Sequence, residues 1–220
     1  MTAEDQKVWE PLSPDDIAAL FSKATFPWWI AGGYAIEDFV GRPLRSHGDI
    51  DVLLFHADQH DARSLLADWD CWAADPPGSL RPWAVGETLP FQVSDIWCRE
   101  DHTAPWRFQL MLDQGSGSVW RSGRCPLLSK SVNDLTRKST TGVPFLAPEI
   151  QLYYKAKSPR PKDELDFSAA LPLLNDSQIV WLREAISIAY GAENAWLASL
   201  DRYSLSQNSQ LRDGSVAPQI

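Results

Sequence analysis

The chain has 220 residues, 44% hydrophobic and 22% charged, with 20 Lys+Arg against 29 Asp+Glu and a formal net charge of −9. These proportions exclude wholesale disorder and collagen-like or low-complexity classes, and they suit one large packed domain with at most a smaller companion. The longest apolar runs, residues 26–31 and 52–55, fall far short of the roughly 20 residues that cross a bilayer, and the acidic start shows no secretory signal, so a cytoplasmic protein without membrane contact is expected.

Ser13-Pro14-Asp15-Asp16 predicts a helix start, with Ser as N-cap, Pro in the first turn and carboxylates facing the positive helix end. Ile17, Leu20 and Phe21 supply its apolar stripe. Residues 28–31 read as a short buried strand ending at Gly32-Gly33. The spacing then predicts a helix over 34–40, with Ile36, Phe39 and Val40 inward and Gly41 as the stop. A second strand is expected over 49–55, followed by a helix capped by Asp58 that runs to about Trp69. From there to about residue 146 the pattern is strands and turns, with β-like segments at 91–98 and 106–112 and a hairpin connection at 115–118. Helices are predicted over 149–157, 162–174 and 176–190, with a shorter piece near 192–200. The polar, aperiodic end from Leu205 predicts a frayed tail. The outline is a mixed α/β unit over 1–146, a helical region over 147–204 and a tail over 205–220.

Charge and composition narrow the partners. Nucleic-acid binders present a basic face that releases counterions from phosphates. Here basic residues cluster only at Lys155, Lys157, Arg160 and Lys162, and a negative surface favours small cationic ligands over long polyanions. Cys71, Cys98 and Cys125 contain no Cys-x-x-Cys pair and read as reduced, partly buried thiols. Eleven tryptophans imply a bulky core and some aromatic cleft lining.

The informative stretch is Gly32-Gly33-Tyr34, then Arg45-Ser46-His47-Gly48-Asp49-Ile50-Asp51. Alternate residues of a strand project to one face, so Asp49 and Asp51 place two carboxylates side by side while Ile50 turns into the core. Adjacent carboxylates repel unless a cation sits between them. Mg²⁺ takes oxygen ligands of this kind and bridges them to the phosphates of a nucleotide. The Gly-Gly pair falls at a strand-to-helix turn, where missing side chains let backbone N–H groups and the positive helix end approach a phosphate. Taken singly, a Gly-Gly turn is an ordinary tight turn and an Asp-x-Asp an ordinary strand end. Their order and spacing together carry the signal.

The run from Trp28 to Phe55 resembles the signature of minimal nucleotidyltransferases of the DNA polymerase β superfamily, nearest the aminoglycoside and lincosamide nucleotidyltransferases. In that branch a Gly-Gly-(Trp/Tyr)-Ala turn precedes Arg-x-His-x-Asp-Ile-Asp, matched here by Gly32, Gly33, Tyr34, Ala35, Arg45, His47, Asp49, Ile50 and Asp51. The resemblance is specific over about 26–56 and looser through residues 94–100 and 147–167. It implies an α+β class, a polymerase β-like mixed sheet flanked by helices with a small C-terminal helical region, and residues 1–146 as the catalytic domain. It further implies ATP as donor, two Mg²⁺ ions, and transfer of AMP to a hydroxyl of a small molecule such as an aminoglycoside- or lincosamide-like antibiotic. The family's third carboxylate falls to Asp95 as metal ligand and general base; Asp113 is the competitor, disfavoured because it closes its strand.

Secondary candidates are Arg45, as a phosphate contact, and His47, as either a nucleotide contact or a tie to the loop. The resemblance offers Lys155 to the triphosphate. The residues from Lys162 to Asp166 read as a helix start with its own salt bridges. His56 and His60 lack a third metal ligand, and residues 115–123 lack the Gly-Lys-Ser/Thr ending of a P-loop. Trp97, Trp106 and Trp120 are candidates for an acceptor cleft, with core packing the alternative. The competing readings are a toxin-type nucleotidyltransferase acting on tRNA or protein, and a non-catalytic nucleotide-binding relative.

Overall fold

The protein is described from a computed structural model that covers residues 8–213, with side chains to residue 205. The chain divides into two compact units, Met1–Ala147 and Pro148–Ile220.

The first unit opens with α1 (Pro14–Leu20), whose Ser13 N-cap accepts from the Asp16 N–H while Asp16 reaches back to the Ser13 N–H, a closed capping box. β1 (Trp28–Ile30) leads into α2 (Gly32–Val40), two residues earlier than the periodicity suggested. The glycines therefore form the first turn of the helix rather than the link before it. Gly41 ends α2 in the left-handed region at φ +80°. β2 runs over Asp51–Phe55, so Asp49 and Ile50 precede the strand. A 3₁₀ turn at His56–Asp58 intervenes before α3 (Gln59–Leu65). Asp58 makes no side-chain cap, and the helix stops short of Trp69.

The rest of the unit is strand-rich: β3 (Asp70–Ala74), β4 (Leu80–Pro82), β5 (Asp95–Arg99), β6 (Phe108–Ser116), β7 (Val119–Arg121), β8 (Ser129–Ser131), β9 (Thr136–Lys138) and β10 (Pro144–Leu146). The expected 91–98 strand starts only at Asp95, because residues 90–93 form a turn closed by Val93 N–H to Pro90 O. Gly117, at φ +59°, turns β6 into β7 as the hairpin signal predicted.

These strands form one open mixed sheet flanked by helices, in the order β4-β3-β5-β6-β2-β1-β10-β9, with β7 and β8 continuing from the end of β6. β2 and β6 are parallel, as are β1 and β10; the other pairs are antiparallel. Val52, Leu54, Ile96 and Leu110 are fully buried on one face of the central strands, and Ile30, Ile36 and Leu146 extend this core. Burial of such side chains is the main driving force for the unit, at about 25 cal/mol per Å² of apolar surface removed from water. Cys71 and Cys98 are buried free thiols within it.

The second unit is helical: α4 (Pro148–Lys155), α5 (Pro161–Ala170), α6 (Asp176–Tyr190) and α7 (Ala195–Asp213). Asn175 caps α6 through its side chain. Tyr153 stacks on Tyr190 and Phe167 on Trp196, which fastens α4 to α6 and α5 to α7. α7 continues through the stretch expected to fray from Leu205, and residues 214–220 of that expected tail lie outside the described residues. Among the described residues no helix is long and apolar enough to cross a membrane.

Candidate active site

The turn between β1 and α2 is shaped by contact with residues later in the chain. Gly32 adopts φ +68°, and a Cβ built on it would collide with Asp51 Oδ2. The missing side chain is thus the space in which the Asp51 carboxylate lies. A Cβ on Gly33 would collide with Arg45 and His47. Both glycines are needed for close approach, one by the carboxylate and the other by the basic pair. Ala31, the N-cap of α2, provides no side-chain acceptor, and the first turn contains no acidic residue. The negative group at this helix end is the Asp51 carboxylate.

β2 places Asp51 directly beside β1, with the Ala31 N–H donating to the Asp51 carbonyl at 2.8 Å. Ile50 is 1% exposed while Asp49 and Asp51 are half-buried, so the alternation expected of 49–51 holds although the regular strand begins at Asp51.

The loop that carries Arg45 and His47 is tied down by Glu37 of α2. Glu37 Oε1 accepts from the Leu44 and Arg45 N–H groups and lies 2.9 Å from His47 Nε2. Arg45 Nη1 stands 3.1 Å from His47 Nδ1, so that nitrogen accepts and Nε2 carries the proton toward Glu37. The His47 ring stacks on Tyr34 with centroids 4.1 Å apart. Burial raises the Tyr34 phenol, helped by the negative charges of Glu37 and Asp49 and opposed by Arg45. His47 is therefore bound through its side chain to α2, and Glu37, which sequence reasoning did not single out, holds both basic residues in place. Its position one helical turn after Gly33 was the available clue.

The register of the central strands settles which residues share the face with Asp51. Asp51 pairs with Gln109 of β6, Gln109 pairs with Trp97 of β5, and Met111 pairs with Asp95. Side chains two apart on a strand face the same way, so Asp51, Gln109, Trp97 and Asp95 share one face across three strands. Gln109 Nε2 donates to Asp95 Oδ1 at 2.6 Å, and Ser94 Oγ donates to Asp95 Oδ2 at 2.7 Å. Gln109 was not anticipated; its polar amide amid the apolar alternation of Phe108, Leu110 and Leu112 was the signal.

Asp113 lies elsewhere. It is the register partner of Phe55 at the far end of β2, is 8% exposed, and accepts from Trp120 Nε1, Gln114 N–H and Gly123 N–H at 2.7–2.8 Å. It braces the β6–β7 hairpin. Trp106 and Trp120 are buried in the core rather than lining a cleft; Trp97 is half-buried on the face that bears Asp95. His56 is held by Gln59 and His60 by Thr88, so the two rings do not converge.

In the helical unit Lys155 is buried and paired with Asp163 and Asp166, each at 2.8 Å. Arg160 adds a 2.7 Å contact to Asp163. Two of the four basic residues of that cluster, Lys155 and Arg160, are thereby paired with carboxylates of α5, and the Lys155 ammonium is committed to them.

A divalent cation is implied by the resemblance, and the chain offers a partial fit. The Asp51 carboxylate sits in the cradle left by Gly32, and Asp49, two residues before it, is half-buried as well. Two carboxylates are enough for Mg²⁺ when phosphate and water oxygens complete its octahedron. Asp95 does not join them. Among the described residues no three acidic, His or Cys side chains gather as a metal-holding group.

Residues 15–73 match the aminoglycoside-2''-adenylyltransferase family model, a stretch that holds Gly32, Gly33, Arg45, His47, Asp49 and Asp51. The fold is similar to that of the lincosamide antibiotic adenylyltransferase LnuA in its lincomycin-bound form, at TM-score 0.50 and 14% identity over 79% of this chain and 99% of that one. It is likewise similar to the antibiotic-resistance factor ANT(2'')-Ia, at TM-score 0.50 and 15% identity over 90% of this chain and 95% of that one. The matched family and LnuA are adenylyltransferases. No curated protein sequence matches the chain.

Proposed function

We propose that the chain is a nucleotidyltransferase that moves AMP from ATP to a hydroxyl of a small molecule, with antibiotics of the aminoglycoside or lincosamide type as the acceptor class. The observation that carries this reading is the Asp51 carboxylate nested against Gly32 at the start of α2, in the segment that matches the family. A triphosphate bound over Gly32 and Gly33 meets backbone N–H groups and the positive end of the helix. Arg45, held over Gly33 by His47 and Glu37, adds a fixed positive charge for a phosphate oxygen. Asp49 and Asp51 would hold Mg²⁺, which supplies charge neutralisation on the phosphates and orientation of the nucleotide. The acceptor hydroxyl forms a new bond to the α-phosphorus as the bond to the bridging α–β oxygen breaks, and pyrophosphate leaves. Asp95 takes the hydroxyl proton as general base.

The negative charge of the chain suits a polycationic acceptor. The pairing of Lys155 and Arg160 with Asp163 weighs against tRNA, since that cluster was the one basic feature of the sequence offered to a polyanion.

The test is incubation with Mg²⁺, α-labelled ATP, panels of aminoglycosides and lincosamides, and bulk tRNA. Label on an antibiotic, lost in Asp51→Asn, is the expected result. Label confined to tRNA, or full transfer by Asp51→Asn, overturns the reading.

A further inference from the structure

β6 stands between the strand that carries Asp51 and the strand that carries Asp95. The residue it presents on their shared face is Gln109, at once the register partner of Asp51 and, through its side chain, a donor to Asp95 Oδ1 at 2.6 Å. With Ser94 on Oδ2, both oxygens of Asp95 are engaged within the protein. The Gln109 NH₂ on Oδ1 and the Ser94 hydroxyl on Oδ2 place protons where a hard divalent ion would compete for the oxygens of Asp95. Distance agrees. Adjacent strands lie about 4.8 Å apart, so the Asp51 and Asp95 backbones, two strands removed and two residues out of register, are separated by roughly 10 Å or more. No three-ligand metal group gathers among the described residues.

Resting on the nucleotidyl-transfer reading, we propose that Gln109 is a positioning residue that splits the acidic residues of this face into two offices. Asp49 and Asp51 hold one divalent cation. Asp95 is kept outside its coordination by the Gln109 amide and serves as the base alone. The amide also separates charges that would repel if a third carboxylate stood opposite Asp51.

Mn²⁺ binding to the full chain, followed by electron paramagnetic resonance with α,β-methylene-ATP present, tests the split. Asp51→Asn is expected to weaken Mn²⁺ about tenfold or more, Asp95→Asn to leave it within about twofold, and Gln109→Glu to tighten it about tenfold. In the transfer assay Gln109→Met is expected to lower kcat about tenfold at unchanged nucleotide KM, and to add nothing in an Asp95→Asn background. Equal loss of Mn²⁺ in Asp95→Asn and Asp51→Asn overturns the proposal, as does an unchanged kcat in Gln109→Met. Failure of the underlying reading has a different signature, a wild-type chain that binds neither Mn²⁺ nor the nucleotide analogue, and it removes the split with it.

Discussion

His47 Nε2 lies 2.9 Å from Glu37 Oε1, and this contact ties the loop after α2 back onto the helix that precedes it. Burial pushes the Glu37 carboxyl up, but the Leu44 and Arg45 N–H groups and His47 outweigh it and hold it below its ordinary value of 4.5. A carboxyl with a depressed folded pKa contributes stability that is present above its unfolded value and lost as pH falls through the folded one. Glu37→Ala is therefore expected to cost about 2 kcal/mol at neutral pH, and Glu37→Gln less because the amide oxygen still accepts. Urea denaturation at neutral pH and at about pH 3 checks this. The gap between wild type and Glu37→Ala should narrow in acid; an undiminished gap refutes the assignment.

Two glycines with left-handed backbone separate strain from site chemistry. Gly32 and Gly41 have φ of +68° and +80°, but a Cβ on Gly32 would strike Asp51 whereas a Cβ on Gly41 has nothing within 4 Å. Alanine at either is expected to cost about 1 kcal/mol or more in backbone strain. Only Gly32→Ala should also lose nucleotide binding. Thermal denaturation with nucleotide titration distinguishes them, and equal loss of binding in both variants would remove the special role of Gly32.

Asp95 and Asp113 should respond in opposite ways. Asp113→Ala strips the partners from Trp120 Nε1 and the Gly123 N–H in a buried setting, an expected loss of about 3 kcal/mol with transfer by the folded fraction retained. Asp95→Asn should keep its stability within about 1 kcal/mol and lose turnover. An active Asp95→Asn and an inactive but stable Asp113→Ala would exchange their roles.

The buried network of the helical unit gives an acid-sensitive feature. Burial raises the Asp163 carboxyl, yet Arg160 and Lys155 override this and hold it far below its ordinary value of 3.8. Its contribution is complete above that value and fades as pH falls below it. Lys155→Met leaves the carboxylates of Asp163 and Asp166 buried without their ammonium, and should cost about 3–5 kcal/mol. If Lys155→Met instead leaves stability intact while abolishing nucleotide binding, the lysine acts on the triphosphate after all.

What could be read in advance came from local chemistry. Ser13, Pro14 and Asp16 announce a helix because the cap is closed within four residues, and Gly41 and Gly117 mark turns because their backbone requires φ above zero. The glycine turn and the two aspartates were legible as motif residues, but the Gly32–Asp51 contact itself came only with the structure. Gln109 was not legible. Its role depends on which strands become neighbours, and the order β5-β6-β2 is set by long-range pairing rather than by the residues around position 109. The same reason hid the short strands β3, β4 and β7 to β10, whose edges are defined by partners distant in sequence. The extension of α7 past Leu205 escaped because its sequence there lacks an apolar period, the main helix signal.

The parallel pairing of β2 with β6 bears on how small this fold can be made. Residues 15–73 hold both glycines and both aspartates of the turn, but β6 and β5, which flank Asp51 on one side, begin only at Phe108 and Asp95. A fragment trimmed to the signature would expose one edge of β2 to water and to other chains. The recognisable portion is therefore a label rather than a minimal machine, and grafting it onto another scaffold would need the later strands as well.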